Sequence, residues 1–410
     1  APLILSGTEM QLPPEIASLK TNPPVFYATN RNLPPSIFTN VVYVNATGAT
    51  AIANGAAYTN ALKNAPLDST VIVGPGTYDF PTNSMPWLKN RVNQHFNNAV
   101  FIHGRDATEY SPMFTDENEV VVCKITGNLK LYSSNETSVA IFLDRTGTKV
   151  EFEADVLDMI GLASGDTSTA ILLGSGAPEL IIRVRDYMRS TTYDAFYFDP
   201  STGSKLNLKA SKVYAYGDIF EFISDATAWG NVIVDIDYAE QTSSTGQPSF
   251  AQGAGRCEVR IGRMKYAGLA SSMTFNGSTN FLLRDTVIEA PPNAARPVIA
   301  VGDGMTGHAG AWLKNVTIFG PTNVDVITLT NISAVPLVLD SVTLHPGWAS
   351  TNWARAVASV SGATIKLQGG GVNLSPQKPI GANVTISGTT NVLAGIYNTG
   401  GMTNAGKLTV

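Results

Sequence analysis

Lys205-Leu206-Asn207-Leu208-Lys209-Ala210-Ser211-Lys212-Val213 is the stretch on which the fold turns. Leu206 and Leu208, and then Val213, share one face while Asn207 and Lys209 take the other, the period-2 alternation of a half-buried strand. The same unit returns along the chain from about residue 119 onward. Aligned on its central apolar residue it gives Phe152, Ile182, Leu208, Val234, Ile261, Leu283, Leu313, Leu339 and Leu367, at spacings of 30, 26, 26, 27, 22, 30, 26 and 28 residues. A second short apolar strand in each unit gives Leu143, Leu173, Phe198, Phe222, Phe275, Val301, Leu329 and Val360, with one copy near Phe250 blurred.

A period of roughly 26 residues, made of two strands and no helix, marks a solenoid and disfavours leucine-rich and ankyrin arrays. One such coil cannot bury its own inward side chains. Coils stacked about 4.8 Å apart line like residues into continuous internal ladders. Asn, Ser, Thr and Gly take the corners because they tolerate the conformations that sharp turns need. A β-sandwich or a chain of hairpins would instead need turn signals every 8 to 12 residues or so, with antiparallel pairing. The expected fold is therefore all-β, a single-stranded right-handed parallel β-helix with a short N-terminal capping helix.

The chain has 410 residues, of which 44% are hydrophobic and only 14% charged, so Ser, Thr, Asn and Gly must carry much of its surface. Such surfaces suit extracellular or virion proteins. Net charge is −5 and no Lys/Arg run occurs, which argues against a nucleic-acid partner, since neutralising phosphates needs clustered cations. No apolar stretch reaches the roughly 20 residues that span a bilayer, so membrane insertion is not expected. Ala1-Pro2-Leu3-Ile4-Leu5-Ser6 lacks the features of a secretory signal. Cys123 and Cys257 lie several coils apart, too far for a disulfide, so both are read as free thiols, with Cys123 buried. Two cysteines and four histidines offer no zinc spacing, and neither a metal nor a cofactor is expected.

Residues 1–38 carry Pro13-Pro14, Pro23-Pro24 and Pro34-Pro35 without sustained periodicity and read as an extended arm for anchoring or oligomerisation. Residues 39–368 are assigned to the β-helix and 369–410 to a C-terminal β tail. Within the β-helix, Ala51 to Lys63 has Ile52, Ala56, Ala57, Ala61 and Leu62 at helical spacing, a short amphipathic cap. Residues 81–118 break the rhythm and are read as an insertion. Its aromatics Trp87, Phe96, Tyr110 and Phe114 either close the end of the solenoid or form a binding surface for a partner or glycan.

The alanine-rich helix followed by Val71-Ile72-Val73-Gly74-Pro75-Gly76-Thr77-Tyr78 resembles the opening element of pectate-lyase-like β-helix proteins, a superfamily that includes phage tailspikes and glycoside hydrolases. The motif covers this segment alone, and the rest of the chain shares only the period. The resemblance implies a helical cap leading into the first coil, and homotrimerisation. It says little about activity.

Polysaccharide cleavage by such a fold needs paired carboxylates, about 5 to 9.5 Å apart in glycoside hydrolases. Glu151, Glu153 and Asp155 alternate on one outward face, but register places Arg183, Lys209 and Asp235 above Glu153, and Arg185, Ser211 and Asp237 above Asp155. That mixed column reads as a salt-bridge ladder, because adjacent cations keep carboxylates ionised and leave no acid catalyst. A second group follows the short strands: Asp144, Asp199, Glu221, Asp225 and Asp303. Asp at a strand end is also an ordinary turn former.

The polygalacturonase motifs Asn-Thr-Asp, Asp-Asp, Gly-His-Gly and Arg-Ile-Lys are missing apart from a faint echo in Gly307-His308-Ala309-Gly310, where His308 reads as a loop residue. Neither the calcium-binding aspartate cluster nor the Arg-x-Pro-x-x-Arg pattern of pectate lyases occurs. No nucleophile elbow and no phosphate-binding glycine loop is present.

The functional expectation is a bacteriophage virion structural protein, a spike, head fibre or tailspike-like rod for display and host attachment, without catalysis. Its partners would be sister subunits in a homotrimer, other virion proteins through the arm, and a host-surface glycan or receptor. The alternatives are a tailspike-type polysaccharide depolymerase, a hydrolase or lyase with Asp199, Glu221, Asp225 or Asp303 as its acids, and a secreted bacterial adhesin.

Overall fold

The computed structural model describes residues 4–6, 9–11, 40–81, 88–104, 111–133, 138–159, 170–174, 176–191, 194–198, 203–222, 231–243, 256–268, 273–275, 280–291, 294, 296–301, 311–320, 324–329, 337–345, 357–359, 363–374, 384–387 and 393–394. The chain divides into two units, residues 1–41 and 42–410. In the first, Ile4–Ser6 pairs antiparallel with Glu9–Gln11.

The second unit is a parallel β-solenoid. Long strands, among them Val122–Ser133, Lys149–Met159, Glu179–Ser190, Lys205–Ala215, Asn231–Gln241 and Arg256–Tyr266, stack side by side in one continuous sheet. Short strands, such as Ile171–Leu173, Phe196–Phe198 and Phe220–Phe222, form two further parallel sheets. Alternation explains the burial: in Lys205–Ala215, Leu206, Leu208, Ala210 and Val213 are buried while Lys205, Asn207, Lys209 and Lys212 are exposed. Inward columns meet across the coil in one hydrophobic core running from Val44 to Ile365. Phe196 and Phe220 stack with ring centroids 4.9 Å apart and planes 14° from parallel.

Several long strands bend, and three of the bends align. Asp285, Asn315 and Ser341 take left-handed φ of 50°, 53° and 57° at equivalent places, and Asn315 Nδ2 donates to Asp285 Oδ1 at 2.8 Å. Gly127, near the bend of Val122–Ser133, has φ of 95°, and a Cβ there would strike the Phe96 carbonyl. Ladder register slips at this bend in several coils, for example between Val184 and Tyr187.

The register refines the sequence alignment. Val234 pairs with Val259, which pairs with Leu283, so Val259 and not Ile261 continues the central column. A slip of two keeps every side chain on its face, so hydrophobic alternation alone does not detect it. In the short strands Leu329 faces Ser359, one residue before Val360. The blurred copy near Phe250 lies outside the described residues.

Residues 81–118, expected to be an insertion, contain Val92–His103, a 12-residue strand of the main sheet. It is bracketed by Ser69–Val73 and Gly76–Phe80 on one side and Val122–Ser133 on the other. Ser111–Thr115 opens the short-strand sheet against Ser138–Leu143. At the other end the parallel ladder crosses the expected boundary at 368: Ala363–Leu374 pairs with Val384–Ser387 and Leu393–Ala394.

The helix α1, Ala51–Asn64, begins at Thr50, whose side chain accepts from the Ala53 N–H at 3.1 Å. Its buried face is Asn54, Gly55, Tyr58 and Leu62, while Ile52, Ala56 and Ala57 of the expected apolar face are exposed. The bulk of Tyr58 and the smallness of Gly55, which lies against the Asp79 carbonyl, decide the rotation. Tyr58 enters a ring cluster with Tyr78, Phe80, Phe96 and Phe101, at centroid distances of 4.9 to 6.5 Å.

Candidate functional site

The outward half of each long strand before the bend carries the acidic column. Glu153 pairs in register with Arg183, Arg183 with Lys209, Lys209 with Asp235 and Asp235 with Arg260. The ion pairs are diagonal as well as lateral. Arg185 Nε lies 2.6 Å from Asp155 and its Nη1 3.3 Å from Glu153. Arg260 Nη1 lies 2.5 Å from Asp235 and 3.3 Å from Asp237, and Arg284 Nε lies 2.8 Å from Glu258. Hydrogen bonds to these carboxylates push the Arg260 and Arg284 guanidinium groups further toward the charged form. Asp285 is held below the usual carboxylate range by the Asn315 amide and by Arg284. Catalysis by a carboxylate pair requires one partner to keep a proton. Glu153, Asp155, Asp235 and Asp237 each lie within ion-pairing distance of an arginine instead.

The corner after the first short strands holds a second acidic group around an open groove of about 650 Å³ lined by Asp116, Glu117, Val120, Phe142, Asp144 and Arg145. Asp116 is fully buried, and its two oxygens accept the backbone N–H groups of Asp144 and Arg145, both at 2.8 Å. Asp144 repeats the device one coil on, accepting the Gly176 N–H at 3.0 Å. Arg145 Nε donates to the Asp116 carbonyl at 2.7 Å, and its guanidinium also reaches the Glu117 carbonyl. These aspartates are acceptors that tie successive corners together. Both Asp116 oxygens are engaged by backbone, and Asp144 engages one.

Of the sequence candidates, Asp199, Asp225, Asp303, Trp87, Tyr110 and His308 lie outside the described residues. Glu221 sits in a short strand opposite Tyr197. Phe96 and Phe114 are fully buried: Phe96 lies 5.1 Å from the Phe101 ring and Phe114 5.0 Å from Phe152, so both close the core and present no face to a partner. Cys123 and Cys257 are buried free thiols in one inward column, and burial pushes Cys123 up to about 12 and Cys257 higher still. No cluster of three or more His, Cys, Asp or Glu side chains placed to hold a metal occurs among the described residues.

One surface escaped the sequence reading. After the bend, Tyr132, Asp158, Arg189, Tyr214, Glu240 and Lys265 fall in one outward column. Lys130, Val156, Tyr187, Lys212, Tyr238 and Arg263 fall in the next. Tyr187 and Tyr214 rings lie 6.4 Å apart and Tyr214 and Tyr238 rings 6.1 Å apart. The tyrosines alternate between the two columns, so no fixed offset from the central apolar residue picks them out. A count of outward aromatics beyond the bend would have done so.

No family model matches the chain, and no curated protein or solved structure matches it significantly.

Proposed function

We propose that the chain is a bacteriophage virion structural protein, a spike, head fibre or tailspike-like rod that displays a surface for host attachment and performs no catalysis. The observation that carries this reading is the fate of the outward carboxylates. Glu151 meets Lys124 at 2.7 Å, Asp158 meets Arg189 at 2.6 Å and Glu289 meets Arg263 at 2.8 Å, as Glu153, Asp155 and Asp235 meet their arginines. Each exposed bridge is worth less than about 1 kcal/mol alone, but repeated from coil to coil they brace the outside of a rod whose inside is a continuous apolar ladder. A braced rod suits display. The resemblance of the helix and Gly74-Pro75-Gly76-Thr77-Tyr78 to the pectate-lyase-like superfamily supports the same class and a homotrimeric assembly on the particle surface.

Incubating the purified full chain with capsular and lipopolysaccharide preparations from a panel of bacteria tests the reading. Retention of at least one glycan with no shortening of its chains is the expected result. Progressive shortening would identify a depolymerase and overturn it.

A further inference from the structure

The central inward column of the long strands runs Val71, Gln94, Ile125, Phe152, Ile182 and on from coil to coil to Leu339. Every member is apolar except Gln94, which is nonetheless only 1% exposed. Its Oε1 accepts from the Tyr58 hydroxyl of α1, and its Nε2 finds no acceptor among the described residues. Burial, and then the Cys123 thiol, raise the Tyr58 hydroxyl well above its usual range, so it stays protonated and donates.

Polar contacts dominate the rest of the seat of α1. Asn54 Nδ2 donates to the Thr77 carbonyl at 3.0 Å, and its Oδ1 accepts the Gly48 N–H at 2.8 Å. At the other end of the helix Lys89 Nζ donates to the Lys63 and Ala65 carbonyls at 2.8 and 2.7 Å. Leu62 is the one aliphatic side chain of α1 that is fully buried, and Ile52, Ala53, Ala56 and Ala57 face solvent. Segments with few buried apolar contacts are the ones that open locally while the rest of a fold stays closed. The coils behind α1 bury an unbroken apolar column instead.

We propose that α1 is a releasable seal on the first coil, and that Tyr58 and Gln94 form the latch that keeps it releasable. When the seal is closed, one end of the Gln94 amide is bonded and the other is buried without a partner, a cost that a Phe and Leu pair of similar volume would not carry. When it opens, water reaches the hydroxyl and both ends of the amide, which offsets part of what the rings lose. Release uncovers the Phe80 and Phe101 rings, against which Tyr58 packs at 5.9 and 4.9 Å, and leaves the ladders behind them paired. A polar side chain set into a column that every other coil keeps apolar breaks a local rule, and such breaks mark the working parts of a fold.

Amide hydrogen exchange of the full chain, read segment by segment by mass spectrometry, tests the latch. In the native protein α1 should exchange at least about tenfold faster than Lys205–Ala215. The double variant Tyr58→Phe, Gln94→Leu should slow exchange of α1 by about tenfold or more, leave Lys205–Ala215 unchanged and melt no lower than the native chain. Tyr58→Phe alone leaves the whole amide unpaired and should speed exchange of α1 severalfold; it serves as the second variant should the double one fail to fold. Native α1 exchanging no faster than Lys205–Ala215 would mean that it has no opening of its own and would overturn the proposal. So would a folded double variant whose α1 exchanges as fast as in the native chain or faster, since the polar pair would then be plain support. Exchange of α1 unaltered by Tyr58→Phe would overturn it as well.

Discussion

The first coils and the middle coils bury their cores by different means. At the N-terminal end, Tyr58 from α1 meets Tyr78, Phe80, Phe96 and Phe101, and Phe101 touches four rings at 4.9 to 5.3 Å. In the middle, Leu206, Leu208, Val232, Val234 and Val259 repeat aliphatic volumes from coil to coil, all at 2% exposure or less. A residue inside a ladder has neighbours much like itself, and translation supplies the fit. The last residue of a ladder has no such neighbour, and large side chains from a helix must make one.

The comparison breaks most decisively at Phe101. Phe101→Ala should cost about 3–5 kcal/mol, and Leu208→Ala, where adjoining coils can close around the gap, nearer the lower end of the usual range of about 2–5 kcal/mol. Denaturant melts of the two variants decide it, and equal losses would mean that the end is no more specialised than the middle.

His103 offers the next largest effect. Burial at the end of Val92–His103 lowers its pKa to about 4, so the fold holds it neutral. The unfolded chain takes up a proton near pH 6.5, as histidine ordinarily does. Below that pH the unfolded state therefore binds more protons, and stability should fall by about 3 kcal/mol between roughly pH 6.5 and pH 4 and then level off for this group. Melting temperature followed against pH, in the native chain and in His103→Gln, should show the steeper descent only in the native chain.

Gly127→Ala should cost about 1–3 kcal/mol, because the left-handed backbone and the Phe96 carbonyl both oppose a Cβ. A loss below about 0.5 kcal/mol would show that the backbone at this bend shifts to admit a Cβ. The smallest change is expected in the middle, at the surface: Arg260→Ala removes contacts to Asp235 and Asp237 and should cost less than about 1 kcal/mol, shrinking in high salt.

The same contrast governs what could be read from the residues. In the middle, alternation and period placed Leu208 beside Val234 and Glu153 beside Arg183, because a repeated pattern carries its own check. The one slip there, Ile261 for Val259, was a two-residue shift that preserves every face. Where the pattern is used once, nothing checks it: α1 turned Tyr58 inward instead of Ala57, and Val92–His103 passed for an insertion because its buried positions include Gln94 and His103. The acidic ladder was legible from register alone. The tyrosine stripe was not, because it depends on a bend that alternation does not reveal.

Cys123 and Cys257 stand in one inward column, five coils apart, and neither thiol meets water while its coil is closed. An alkylating reagent therefore reaches each only during a local opening, and its rate becomes a clock for that coil. With one clock near the sealed beginning and another well along the rod, fraying that starts from either end, or in the middle, leaves a different order of ticks.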